Sequence, residues 1–185
     1  MPRALLVLAA LVLAGCGNAR TPVPDVTHHA APRGERAVRL PQAGIALAAP
    51  ANWRAIEPED PRGGGIESRR ASLVVWRYPR TEPLPANGRE LRRVEGLLTE
   101  RVRARDASFA LDRARTTRVA GARAIELTGT ETINGRRLRV RSRHVFFATA
   151  ELVFDAFAPP EDFDRVDETV YAPLLASLEL TNPAG

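Results

Sequence analysis

Asn134-Gly135 separates two long stretches, 122–133 and 136–148, in which β-branched and aromatic residues alternate with polar ones. A two-residue type I′ turn needs positive φ at both central positions, and Asn-Gly supplies them at least cost. Between alternating stretches it is the strongest short hairpin signal. It also sets a register. Ile133 faces Arg136, Thr132 faces Arg137, Thr130 faces Arg139, Thr128 faces Arg141 and Glu126 faces Arg143. A slip of one residue would turn this arginine row onto the core face, so the pairing is pinned.

The rest of the pattern builds around that hairpin. Strands are expected at 71–78, 108–114 and 151–158, with short extended pieces at 37–40 and 45–48 and another after Trp53. Residues 57–65, rich in Pro, Gly and acid, read as loop. Leu91, Val94, Leu98 and Val102 step by three, four and four, which predicts a helix over 88–104 with one apolar stripe. Asn87 is its expected N-cap, with Glu90 three residues on. A last helix opens at Pro159-Pro160-Glu161-Asp162 and carries Phe163, Val166, Val170, Leu174 and Leu178 on one side. Pro173 should kink it or end it early. Strands, a helix, a run of antiparallel strands and a helix describe an α+β domain: an antiparallel sheet of about six strands packed with helices. It is expected over 37–180, with 181–185 as a tail.

Composition excludes several classes of function. The 185 residues are 44% apolar and 26% charged, enough for a core and unlike a disordered chain. All 27 basic residues are Arg, so lysine Schiff-base chemistry and a Walker-type phosphate loop are out. One Cys excludes a disulfide framework, and three His leave little room for a metal cluster. The net charge of +5 is mild and scattered, which argues against nucleic-acid binding. No cofactor, metal or nucleic acid is expected.

The first residues give an address. Arg3 precedes ten unbroken apolar residues, 4–13, too few for a helix across a bilayer core, which needs ~20. They suit a secretory signal. Leu13-Ala14-Gly15-Cys16 resembles the bacterial lipobox in all four positions. The resemblance implies a signal peptide over 1–15, cleavage before Cys16, and acylation of that Cys. A lipid-anchored tether is expected over 16–36, with Pro22, Pro24 and Pro32 in it and a reach of about 25 Å by coil statistics. His28-His29 reads as two solvated side chains of that tether rather than a metal clip. Gly17 stands where an Asp would signal inner-membrane retention. The expected location is therefore the outer face of the cell membrane, or the outer membrane of a two-membrane host. The expected partners are that membrane, through the lipid on Cys16, and an envelope protein.

Ile45 to Pro50 followed by Ala51-Asn52-Trp53 is similar to the strand-Pro-x-x-Trp opening of the PsbP/Mog-type fold. The ending, 152–158, then Pro159 to Phe163, then 174–178, is similar to that group's final strand, Pro-x-x-x-Phe turn and closing helix. The group includes bacterial lipoproteins of the LpqN and LpqT type. The resemblance implies an α-β-α sandwich and non-catalytic accessory or binding roles. It transfers only structural roles, to Pro50, Trp53 and Phe163.

Two constellations remain. Arg137, Arg139, Arg141 and Arg143 form either a solvated face, eased by the facing Thr and Glu, or an anion-binding strip for a partner. On the other side of that strand lie Val140, Ser142, His144 and Phe146. A turn at Thr149-Ala150 would set His144 opposite Asp155. A Ser-His-Asp hydrolase is set aside, because Ser142 and His144 Cα atoms would lie ~6.6–6.8 Å apart. A nucleophile and its base need ~2.6–3.2 Å between side-chain atoms. There is also no Gly-x-Ser-x-Gly elbow. His144 and Asp155 are expected as a structural pair or as part of a ligand pocket. Trp53, Trp76, Tyr78, Phe146, Phe147, Phe154 and Phe157 are core or pocket lining. Glu57, Glu59 and Asp60 lack calcium-loop spacing. The expected function is a non-catalytic binding or accessory module in the envelope. A carrier or sensor of a small amphiphile is the alternative, and a hydrolase comes last.

Overall fold

The computed structural model describes residues 28–105 and 107–182. The signal peptide, Cys16 and the tether to residue 27 lie outside them. A seven-stranded antiparallel sheet has the order β3-β4-β5-β9-β8-β7-β6, and a second sheet has the order β1-β2-β10. The large sheet is built from β3 (Arg54–Ile56), β4 (Arg62–Ser68), β5 (Ala71–Pro79), β6 (Ala110–Val119), β7 (Ala122–Ile133), β8 (Arg136–Phe147) and β9 (Ala150–Ala158). The small one holds β1 (Arg36–Leu40), β2 (Ile45–Ala49) and β10 (Glu179–Leu180). Helix α1 is Gly88–Arg105. The C-terminal helix runs as α2 (Pro160–Val166), a π-helical turn (Asp167–Tyr171) and α3 (Ala172–Ala176).

The hairpin at Asn134-Gly135 forms with φ of 50° and 73°, and every pairing from Ile133–Arg136 to Glu126–Arg143 is the expected one. Asn87 caps α1: its Oδ1 accepts from the backbone N–H of Arg89 and Glu90, both at 3.0 Å. Glu90 answers by accepting the Ala86 N–H at 2.8 Å, one residue outside the usual capping box.

The large sheet has a covered face and a half-covered one. The covered face carries Leu73, Val75, Ala124, Val145, Leu152 and Phe154, packed with Trp53, Phe163 and Tyr171 into the main core. The small sheet and the C-terminal helix lie over it. Trp53 and Tyr171 meet edge-on at 6.3 Å between ring centroids. The buried Tyr171 hydroxyl donates to the Phe157 carbonyl at 2.6 Å and lies 3.1 Å from the Ser72 carbonyl, tying helix to strands. Burial pushes that phenol far above its ordinary range.

Four sequence expectations are corrected. The stretch 57–65 is not all loop, because Arg62–Ser68 is β4 and gives the sheet its seventh strand. Its glycines are packed rather than turning: a Cβ on Gly65 would meet the Leu73 carbonyl oxygen at 2.2 Å. Pro173 does not end the last helix, which continues to Ala176. The π turn just before it widens the ladder, so that the Ala172 N–H bonds to Asp167 five residues back. The β8–β9 turn is Ala148-Thr149, with Ala148 at φ 51°, one residue earlier than expected. Finally, the chain is docked before residue 36. Trp53 Nε1 donates to the Ala30 carbonyl at 3.1 Å, Asn52 Nδ2 to the Ala31 carbonyl at 2.8 Å, and the Ala30 N–H to Ser68 Oγ at 2.9 Å. His29 sits against Trp53, and burial lowers its pKa below 6.5.

Candidate functional site

The half-covered face is roofed on one side by α1. The predicted stripe does the packing: Leu91 is buried with Ile125 and Leu127, and Val94, Leu98 and Val102 pack beside it. Cross-strand register then orders the open part in rows. Trp76 pairs with Val153, which pairs with His144. Asp155 pairs with Ser142, and Phe157 with Val140. Between these rows and α1 lies a cleft of about 790 Å³. Trp76, Leu98, Val102, Phe109, Val153 and Phe157 give it apolar walls, and the charged Arg101 and Glu131 also line it. Gly129 shapes one wall, since a Cβ there would lie 3.1 Å from the Phe109 ring.

A string of polar groups crosses the floor of this cleft. Ser142 Oγ and His144 Nε2 are 3.2 Å apart. His144 Nδ1 and Glu151 Oε1 are 2.6 Å apart. The second carboxylate oxygen of Glu151 accepts from Arg80. Ser142, His144 and Glu151 are all buried. Burial pushes the Glu151 carboxyl up. Its hydrogen bond with His144, the charge there and the Arg80 guanidinium outweigh this and hold it below 4.5. An ionised carboxylate only accepts, so Nδ1 carries a proton toward Glu151. In the neutral ring this tautomer leaves Nε2 free to accept from the Ser142 hydroxyl. Trp76 also lines the cleft, and its indole N–H is buried with no hydrogen-bond partner.

This geometry corrects two expectations. The partner of His144 is Glu151, not Asp155. The turn lies one residue earlier, which slides the pairing by two, keeps the face and changes the neighbour. Asp155 does line the cleft, but beside Ser142, and it has interactions of its own. The spacing objection to a Ser142–His144 pair also falls. Side chains two residues apart on one strand lean together here and meet at hydrogen-bond distance. The sequence carries the signal for Glu151: it is an acid at the start of a largely apolar strand, on the same face as Val153 and Asp155.

The arginine row lies on the covered side. Arg137 is exposed, whereas Arg139, Arg141 and Arg143 are half-buried. Glu126, only 4% exposed, accepts from Arg143 Nε at 2.7 Å and Arg115 Nε at 2.8 Å. Arg141 reaches Asp167 on the C-terminal helix and lies 3.9 Å from Glu126. The guanidinium carbons of Arg139 and Arg141 stand 5.7 and 5.6 Å from the Phe163 ring centroid, a cation–π arrangement. Burial raises the Glu126 pKa, but the Arg115 hydrogen bond and the Arg143 charge and bond bring it below 4.5. Phe163 and Asp167, four apart on one helix face, were the missed signal that a helix covers this row.

Among the described residues, no group of three or more His, Cys, Asp or Glu is arranged to hold a metal ion. Among them, no helix is long and apolar enough to cross a membrane.

No protein-family model and no curated protein matches this chain. Solved structures do. The solution structure of PsbP (CyanoP) from Synechocystis sp. PCC 6803 aligns at TM-score 0.60 and 12% identity, over 91% of this chain and 98% of that one. The crystal structure of LpqN, involved in cell envelope biogenesis of Mycobacterium tuberculosis, aligns at TM-score 0.59 and 18% identity, over 80% of this chain and 91% of that one. At such identities the likeness concerns the fold. It bears out the resemblance drawn from the strand-Pro-x-x-Trp opening and the Pro-x-x-x-Phe ending: this chain has a PsbP-like α+β fold, similar to that of LpqN.

Proposed function

We propose that this chain is an exported, lipid-anchored binding module of the cell envelope, and that it holds one small amphiphile in the cleft between α1 and the sheet. The observation that carries the reading is the cleft itself. Its 790 Å³ falls within the range of sites for small molecules, and its apolar walls enclose a few convergent polar groups. Each methylene moved from water onto such walls contributes about 0.8 kcal/mol, so an eight-carbon chain supplies roughly 6 kcal/mol before entropy costs. The anchor rests on the lipobox-like Leu13 to Cys16. An envelope role is supported by the fold shared with LpqN. Holding a ligand requires no turnover.

A protein partner on Arg137, Arg139, Arg141 and Arg143 has less support. Three of these guanidiniums are half-buried and engaged by Glu126, Asp167 and Phe163. The test is extraction. Full-length protein purified from membranes should carry an amphiphile, seen by mass spectrometry of its organic extract. That species should be depleted in Val153→Trp, which narrows the cleft at its wall. Equal amounts in both would sink the reading.

A further inference from the structure

We propose that Ser142 is a nucleophile, activated by His144 and held in place through Glu151, that takes the acyl group of an ester lodged in the cleft. This goes beyond holding a ligand, and it rests on that reading for the presence of the ester. Two geometric requirements for such a group are met. The nucleophile and base are in contact, at 3.2 Å between Ser142 Oγ and His144 Nε2. The base is oriented by a third group, at 2.6 Å between His144 Nδ1 and Glu151 Oε1. Glu151 is itself fixed by Arg80. The string is buried, so the ring cannot turn to water and lose its orientation. It also lines a cleft that leaves room for a reacting carbonyl.

The step balances without any further reactant. Ser142 Oγ bonds to the ester carbonyl carbon while its proton passes to His144 Nε2. The carbon–oxygen bond to the alcohol breaks, and the alcohol leaves with that proton. Water, deprotonated by the same nitrogen, can later release the acid and restore Ser142.

Charge on the carbonyl oxygen is the weak point of the site. β8 is paired on both edges, with β7 and β9, so its backbone N–H groups are engaged in the ladder. Trp76 lines the cleft, but its indole N–H is buried and supplies no accessible donor. Each missing oxyanion donor slows acyl transfer by ~10²–10³-fold. The acyl-serine should therefore form slowly and persist, so that capture rather than rapid turnover is expected.

The experiment uses full-length protein in detergent, exchanged to strip bound amphiphile, and an octyl fluorophosphonate. The expected result is one phosphonyl group on the peptide holding Ser142. It should be absent in Ser142→Ala and formed ~10²-fold more slowly or worse in His144→Gln. Glu151→Gln should slow labelling while the co-purifying amphiphile stays, since a purely structural role would alter both. If His144→Gln does not fold, Ser142→Ala removes a single oxygen and carries the test. Label on another residue overturns the proposal, as does equal labelling of Ser142→Ala. No label on protein that carried an amphiphile before the exchange overturns the nucleophile and leaves the binding reading standing. No label and no amphiphile overturns both.

Discussion

On β8, odd positions 137 to 143 carry arginine, while even positions 140 to 144 carry Val, Ser and His, and the two sides meet very different surroundings. The arginines reach across elements: Glu126 on β7 gathers Arg115 of β6 with Arg143, and Asp167 and Phe163 of the C-terminal helix take Arg141 and Arg139. The even side pairs within its own hairpin, His144 with Ser142 and with Glu151, and Arg80 joins from the end of β5. Charges that tie distant segments together hold a fold. Polar groups that satisfy one another locally beside a cleft tie few segments together, so the fold depends on them less. The comparison predicts that damage on the odd side costs stability, and that damage on the even side costs binding.

Phe163→Ala should have the largest effect. The ring is 1% exposed and lies under two guanidiniums, so its loss should cost ~3–5 kcal/mol, the range for a large core aromatic. In a domain of this size that lowers Tm by roughly 10 °C. A loss under ~1 kcal/mol would mean that the helix does not cover the arginines, and the comparison would fail.

Glu126→Gln comes next, at ~2–3 kcal/mol. Breaking a buried ion pair costs ~3–5, but Arg115 and Arg141 can still turn toward water. Its pH dependence sharpens the point. The folded Glu126 carboxyl titrates below 4.5, so its stabilisation is fully present above that pH and is lost as pH falls through the folded value. Wild type and variant should thus differ in Tm at pH 7 and converge below about pH 4.5. A gap that stays constant to pH 3 would show that Glu126 is not the ionised hub of the row.

How much of this was legible follows from what each feature depends on. The Asn134-Gly135 register, the α1 stripe and the Asn87 cap are local rules, and the sequence displays them. The row of four arginines was visible too, but not what covers it, because Phe163 and Asp167 arrive from a segment twenty or more residues away. β4 was hidden because glycines there serve close strand approach, while the same residues usually mark loops. The string at Ser142 was half legible. Its face was right, but Ala148-Thr149 is not a turn-forming pair by composition, so His144 received the wrong partner. The cleft depends on where α1 stops covering the sheet, which no local pattern records.

The smallest effect on stability should come from a substitution that most damages binding. Leu152 and Val153 are neighbours on β9 with opposite outlooks: Leu152 is 0% exposed in the main core, and Val153 lines the cleft. Leu152→Trp forces an indole into filled space and should cost ~1–3 kcal/mol or more. Val153→Trp also adds bulk at a buried position, 5% exposed, but that position borders the cleft, so the indole has room to turn into it and should cost less than Leu152→Trp, about 1 kcal/mol. It should nonetheless deplete the co-purifying amphiphile. Urea denaturation of the pair therefore measures the two faces with one side chain one residue apart. Equal losses would mean that the cleft closes on its own walls, and the contrast between a face built for the fold and a face kept open for a ligand would not survive.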